Sequence, residues 1–176
     1  ADALVDASAP LPTPATTPAA APACLAPSPR AGAQTVRVFL YCRDAVTPAG
    51  LVRVERAVAE TQAVLGAALE QLLAGTTPEE EAAGFVSGVP EQVVGAPVIA
   101  RIDADGVAFV DVEYDFSTVN NFSTSGMTFG FVDPIYATAF QFKTVTAIDL
   151  GAFCGYTELA CSEFTRPEWE RQVSGG

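Results

Sequence analysis

The sequence predicts an α+β domain, a two-layer sandwich in which two helices pack on one face of a mixed sheet of about four to five strands. Segments of alternating apolar and polar residues are interspersed with segments whose apolar residues recur at three- and four-residue spacing. An Asp105-Gly106 pair between two strand-like segments is a strong hairpin signal. The chain is 49% hydrophobic over 176 residues, which is enough for one core.

The strand assignments rest on residue alternation. Residues 34–42 alternate at first and then become wholly apolar, which predicts a strand that is buried at its far end. Residues 51–58 predict a second strand, with the start of the next helix as the alternative. We expect residues 95–103 and 107–114 to form the hairpin and residues 143–150 to form the last strand.

Two longer helices and one short helix are predicted. Residues 60–74 have leucines and alanines on one face and end at Gly75, a typical C-terminal cap. Thr77 is the expected N-cap of a short helix that continues with Pro78 and three glutamates. A helix over residues 129–142 is expected to be interrupted near Pro134. Its expected buried stripe is Ile135, Ala139 and Phe142.

The composition divides the chain into three parts. Residues 1–33 are mostly Ala, Pro, Ser and Thr, so we expect a disordered spacer that holds the domain away from a membrane or wall. Residues 34–150 form the predicted domain. Residues 151–176 form a cysteine-containing C-terminal extension, which we expect to pack on the domain.

Four cysteines indicate disulfides in a chain with the composition of an exported protein. Cys154 and Cys161 are close enough in sequence for a local bridge, and Cys24 would then pair with Cys42. Three pairings are compatible with four cysteines, and reduced buried thiols are the alternative.

Charge and residue types exclude several function classes. The net charge of −12 disfavours nucleic acid and anionic membrane surfaces as partners. The chain has no histidine to serve as a general base for a nucleophile. No phosphate-binding glycine motif occurs. We therefore expect neither an enzyme nor a cofactor, and no metal.

Two groups of side chains are candidate sites. Four phenylalanines lie in or beside a loop rich in Gly, Ser, Thr and Asn, a composition that suits binding; the alternative is that the rings close one end of the core. They are Phe116, Phe122, Phe129 and Phe131.

The second group consists of three carboxylates at alternate positions, Asp111, Glu113 and Asp115. Alternate positions of a strand share one face, which makes a cation or acid/base site conceivable. The alternative is a solvated sheet face.

The order of elements and several segments resemble the GerMN domain, a sporulation and spore-germination module that also occurs in bacterial envelope lipoproteins. The matching segments are VRVFLYC, LVRVERAV, AALEQLLAGTTPEEEAAGFVSGVP, GVAFVDVEYDF, IYATAFQFKTVTAIDLG and FTRPEWE. The helix followed by LLAGTTPEEEAAGFVSGVP is the most specific of them. The loop DFSTVNNFSTSGMTFG and the cysteines depart from the family pattern.

The resemblance implies a non-catalytic binding or assembly module of the bacterial cell envelope, either secreted or membrane-anchored as in a lipoprotein. Its expected partners are another envelope protein, copies of itself, or peptidoglycan. We expect contact with a membrane only through an anchor upstream of this sequence. The alternative function is binding of a cell-wall glycan or small ligand by the loop aromatics.

Overall fold

The computed structural model describes residues 24–28, 34–43, 47–156 and 161–175. Of the predicted spacer, only residues 24–28 fall within this part; the rest lies outside the described residues. The helices of the described part are α1 (Val64–Leu73), α2 (Pro78–Ala82), α3 (Ser125–Phe140) and α4 (Arg166–Ser174). Its strands are β1 (Gln34–Cys42), β2 (Leu51–Val58), β3 (Phe85–Val86), β4 (Val98–Ile102), β5 (Val107–Val112), β6 (Ala147–Asp149) and β7 (Phe164–Thr165).

The predicted α+β class is confirmed, with the strands divided between two sheets rather than gathered in one. One sheet has the order β2-β1-β3 and is antiparallel throughout. The other has the order β4-β5-β6-β7, in which only β5 and β6 run parallel. Alternation in a sequence shows which face a residue occupies but not which strand is its neighbour, so the division into sheets has no sequence signal.

The strands β1 and β2 have the predicted bounds. Val38 and Val54 face each other at the centre of this pair, and both side chains are fully buried. The predicted hairpin joins β4 and β5 through a turn formed by residues 103–106. In this turn the Asp103 carboxylate accepts hydrogen bonds from the N–H groups of Asp105 and Val107, and Gly106 has a φ of 83°.

Helix α3 differs from its prediction because it begins at Ser125 and continues through Pro134 without interruption. Residues 130–140 are all buried, so the helix is enclosed on every side and shows no one-sided apolar pattern. Pro134 has no N–H to donate to the Gly130 carbonyl. Gly88 packs so closely against that carbonyl that a side chain at Gly88 would overlap it.

Of the predicted buried stripe of α3, Ile135 and Ala139 are buried. Phe142 lies beyond the end of the helix and is half-buried. The predicted last strand shrinks to β6, because the residues before it form a turn in which Val145 donates to the Phe142 carbonyl.

The C-terminal extension contains β7 and α4, for which the sequence analysis made no assignment. Trp169 of α4 stacks on Phe140 with ring centroids 6.4 Å apart, and Phe164 of β7 stacks on Tyr136 at 4.4 Å. The guanidinium carbon of Arg166 lies 5.2 Å from the centroid of the Phe140 ring. None of the helices within the described ranges is long and apolar enough to cross a membrane.

Candidate functional site

Two disulfides fix the ends of the domain, with the pairing that the cysteine spacing favours. Cys24 is bonded to Cys42 at the end of β1, and Cys154 is bonded to Cys161. The first bond holds residues 24–28 against the domain. These residues form what we call the strap.

Three of the four candidate aromatic residues are buried. Phe116, Phe122 and Phe131 are at most 3% exposed, and with Phe153 they form a cluster whose ring centroids lie 4.6 to 6.3 Å apart. They close one end of the core, which is the alternative that the sequence left open. Only Phe129, on the solvent side of the first turns of α3, is exposed, at 40%.

The three candidate carboxylates do not come together. Asp111 and Glu113 are exposed on the outer side of the four-stranded sheet. The Asp115 carboxylate instead accepts hydrogen bonds from the N–H and the hydroxyl of Ser117, which hold its pKa below the ordinary value. Among the residues that the structure describes, no group of three or more His, Cys, Asp or Glu side chains is placed to hold a metal ion.

A buried ion pair links β2 to α2. The Arg56 guanidinium donates to the Glu80 carboxylate at 2.9 and 2.6 Å, and the two residues are 7% and 2% exposed. Arg56 also donates to the carbonyls of Gln71 and Gly75, and Glu80 accepts from the Thr77 N–H at 2.8 Å. A cavity of about 290 Å³ lies beside this pair, and the strap forms part of its wall.

A second buried polar group lies in α3. Asp133 is 2% exposed, and burial raises its pKa to about 6. Its carboxylate accepts a hydrogen bond from the side-chain amide of Gln172 in α4 at 3.0 Å. The charge of Asp133 in turn raises the pKa of Tyr41 and Tyr136, in both cases less than burial does. The bond from Gln172 ties the C-terminal helix to the core.

The outer face of the four-stranded sheet is an open surface that combines apolar and charged side chains. Ile99 of β4 is 54% exposed, and Arg101 on the same side lies with its guanidinium carbon 4.2 Å from the centroid of the Phe109 ring. These residues line a hollow of about 250 Å³ together with Asp111 and Asp149. Arg101 forms no ion pair with a carboxylate within the described part of the chain.

The hydrogen bonds of β4 show which of its backbone groups are open. The Glu113 N–H donates to the Pro97 carbonyl at 2.9 Å, and the Asp103 N–H donates to the Val107 carbonyl at 3.1 Å. In an antiparallel pair the bonded residues alternate along the strand. The odd-numbered residues of β4 therefore bond to β5, and the even-numbered residues direct their N–H and C=O groups away from the sheet.

These open residues are Val98, Ala100 and Ile102. Throughout the described ranges, none of their backbone groups has another hydrogen-bond partner. We call this the β4 edge. The sequence reading identified the strand but not its place at the border of a sheet, because only the pairing order reveals which strand lies outermost.

A family model with the description "Germane: Sporulation and spore germination" matches residues 39–151 of the chain. Among solved structures, one of the tandem GerMN domains of the sporulation protein GerM from Bacillus subtilis is similar at 20% identity and a TM-score of 0.48. That match covers 66% of this chain and 38% of the other. The first GerMN domain of the same protein is similar at 19% identity and a TM-score of 0.41, over 66% of this chain and 80% of the other. No curated protein sequence matches the chain. Because the family model matches well over half of its length, the chain belongs to the Germane (sporulation and spore germination) family.

Proposed function

We propose that this chain is a non-catalytic binding and assembly module of the bacterial cell envelope. The observation that carries the proposal is the open outer face of the four-stranded sheet, where Ile99, Arg101 and Phe109 lie beside the carboxylates of Asp111 and Asp149. An exposed isoleucine and an arginine over an aromatic ring are the side chains that recur at protein interfaces. The family match, whose description is sporulation and spore germination, supports a bacterial role for the module.

Two features support the proposed place and attachment of the module. Both disulfides in the described part suit an extracytoplasmic location, where thiols are oxidised. The Cys24–Cys42 bond also fixes the point at which the N-terminal segment leaves the domain. We propose that the spacer predicted over residues 1–33 holds this fixed point away from the membrane or wall through the part of it that precedes Cys24.

Photo-cross-linking in the source bacterium tests the proposal. A photoreactive phenylalanine analogue at Ile99 should give an adduct with a protein, and the same analogue at Val94 should not. Val94 is a matched control because it is 47% exposed and lies outside β4. The proposal fails if Ile99 gives no protein adduct in a correctly folded variant.

The second candidate is a cell-wall glycan or small-ligand binder that uses the loop aromatics. Phe129 favours it, since this ring is 40% exposed beside Met127, which is 38% exposed. Under this hypothesis Phe129→Ala abolishes retention of the chain on purified peptidoglycan, whereas Met127→Ala retains most of it. Equal retention of the unmodified chain and Phe129→Ala would exclude the ring as a glycan contact.

A further inference from the structure

We propose that two copies of this chain pair through the β4 edge, antiparallel and around a twofold axis at Ala100, so that their four-stranded sheets become one continuous sheet. The inference rests on the proposed assembly function and names the partner at that surface as a second copy.

The backbone of β4 is self-complementary in this register. Residues 98, 100 and 102 present three N–H and three C=O groups to the open side. With Ala100 opposite Ala100 of the other copy, Val98 faces Ile102 at both ends. All six groups of each copy then find a partner, and a shift by two residues in either direction leaves part of them unpaired.

The same register also brings compatible side chains together on both faces of the joined sheet. On the inner face, half-buried Val98 meets Ile102, which is 39% exposed in the single chain. On the outer face, Ile99 lies opposite Arg101 of the other copy. Asp111 is the neighbour of Ile99 on β5, so Arg101 of one copy lies two strand spacings, about 10 Å, from Asp111 of the other. Extended arginine and aspartate side chains close that span.

The space around β4 admits a further strand. On the outer side is the hollow of about 250 Å³ that contains Ile99 and Arg101. On the inner side a groove of about 390 Å³ runs between Ala100–Ile102 and the start of α1. An edge strand with both sides open and with neither lysine nor proline within it is of the kind that pairs with another chain.

The other sheet borders in the described part of the chain are protected or short. β2 carries the charged residues Arg53 and Glu55, and charged side chains on an edge strand disfavour pairing with another chain. The Gln141 side chain covers part of β1 by donating to the Arg37 carbonyl at 2.8 Å. β3 and β7 have two residues each. The β4 edge is therefore the best pairing site among them.

The net charge of −12 on each copy opposes the association. At about 0.15 M salt the Debye length is roughly 8 Å, so repulsion between distant charges is screened while close pairs at the contact still attract. The test below therefore uses this ionic strength.

Register-specific cross-linking tests the proposal. Ile99→Cys and Arg101→Cys are prepared as separate full-length proteins, mixed, and oxidised. Facing residues of a non-hydrogen-bonded pair lie about 4.5 Å apart at Cα, within reach of a disulfide. The Cα atoms of residue 99 in the two copies, or of residue 101 in the two copies, lie about 7 to 8 Å apart, too far for a disulfide. Each described native cysteine is already in a disulfide, so the introduced thiol is the reactive one.

The expected result is a species of twice 18.2 kDa that is strongly enriched in the mixture over either variant alone. Light scattering of the unmodified chain should show its mass rising towards the same value with concentration. Ala100→Pro should remain at one chain mass, because it removes an N–H that only the other copy uses. No enrichment in the mixture of two folded variants would overturn the proposal.

These results separate this inference from the proposed function. If the copies fail to cross-link but the photoreactive residue at position 99 captures a different protein, the proposed assembly function is retained. The proposal that the partner is a second copy is then wrong. If neither experiment gives a protein adduct, both proposals fail.

Discussion

Replacing Asp133 by Asn should stabilise the protein at neutral pH and have little effect in acid. The carboxyl group has a pKa of about 6 in the folded chain against an ordinary value of 3.8, because it is buried in α3. Between pH 4 and pH 6 the carboxyl group of Asp133 is therefore protonated in the folded state and ionised in the unfolded state. The contribution of this group to stability is fully present below pH 4 and is lost as the pH rises through 6.

The size of the effect follows from the same two pKa values. Their difference corresponds to roughly 3 kcal/mol, and partial screening by solvent reduces this to about 2 kcal/mol at pH 7. Asn keeps an oxygen to accept the hydrogen bond from Gln172 and carries no charge. The neighbouring side chains of Tyr41, Tyr136 and Gln172 carry no charge over this pH range, so they do not change the expected difference.

Urea unfolding of both proteins from pH 4 to pH 7.5 measures the difference directly, because the other carboxylates cancel between them. Glu70→Gln, at an exposed position on α1 outside the proposed contact face, is the control and should give a much smaller difference at pH 7. A flat difference for Asp133→Asn, or a variant that becomes less stable than the parent as the pH rises, would refute the reasoning.

Three further predictions concern other positions and are measured by the same unfolding assay. Glu80→Gln should cost about 3 kcal/mol because it leaves a buried guanidinium without its counter-charge, whereas exposed Glu81→Gln should cost less than about 0.5 kcal/mol; equal losses would contradict the role of the ion pair. Gly88→Ala should cost about 3 kcal/mol because its methyl group would overlap a backbone carbonyl, and a neutral result would show that the loop can move away. Replacing Cys24 and Cys42 together by Ser should cost about 3 kcal/mol, the value for a loop of 18 residues, and an unchanged midpoint would show that the strap adds no constraint.

The elements with a strong local pattern were predictable from the sequence. Alternation gave the bounds of β1 and β2, and Thr77 with Glu80 forms the expected cap at the start of α2. Helix α4 carried the same signal, Thr165 followed three residues later by Glu168, and both bonds of this capping box are present. That signal was sufficient to find α4.

The continuity of α3 could not be predicted, because its residues 130–140 are buried on all sides and show no one-sided pattern, and because Pro134 argues against an unbroken helix. The protein accommodates this proline by packing Gly88 against the carbonyl that the proline leaves without a donor. That contact joins residues far apart in the sequence, so only the folded chain shows it.

The candidate site was predictable in part. Alternation placed Asp111 on the outer face of its strand, where it lies. Arg56 falls on the face of β2 that also holds buried Val54, and an arginine among apolar residues indicates a buried partner. For Phe116 and Phe122 the sequence left a binding role and closure of the core as alternatives, because loop composition does not reveal which way a side chain points.

The disulfide at Cys24 also determines how the domain bears mechanical load. A pulling force applied to the chain on the N-terminal side of Cys24 passes through the covalent bond to Cys42 at the far end of β1. The residues between these two cysteines carry none of the tension while the bond is intact, so β1 is not peeled from β2 starting at Gln34. Reduction of this one bond would transfer the pulling force to Gln34 at the start of β1. The hydrogen bonds between β1 and β2 would then break one after another, at a lower force than is needed while the disulfide is intact.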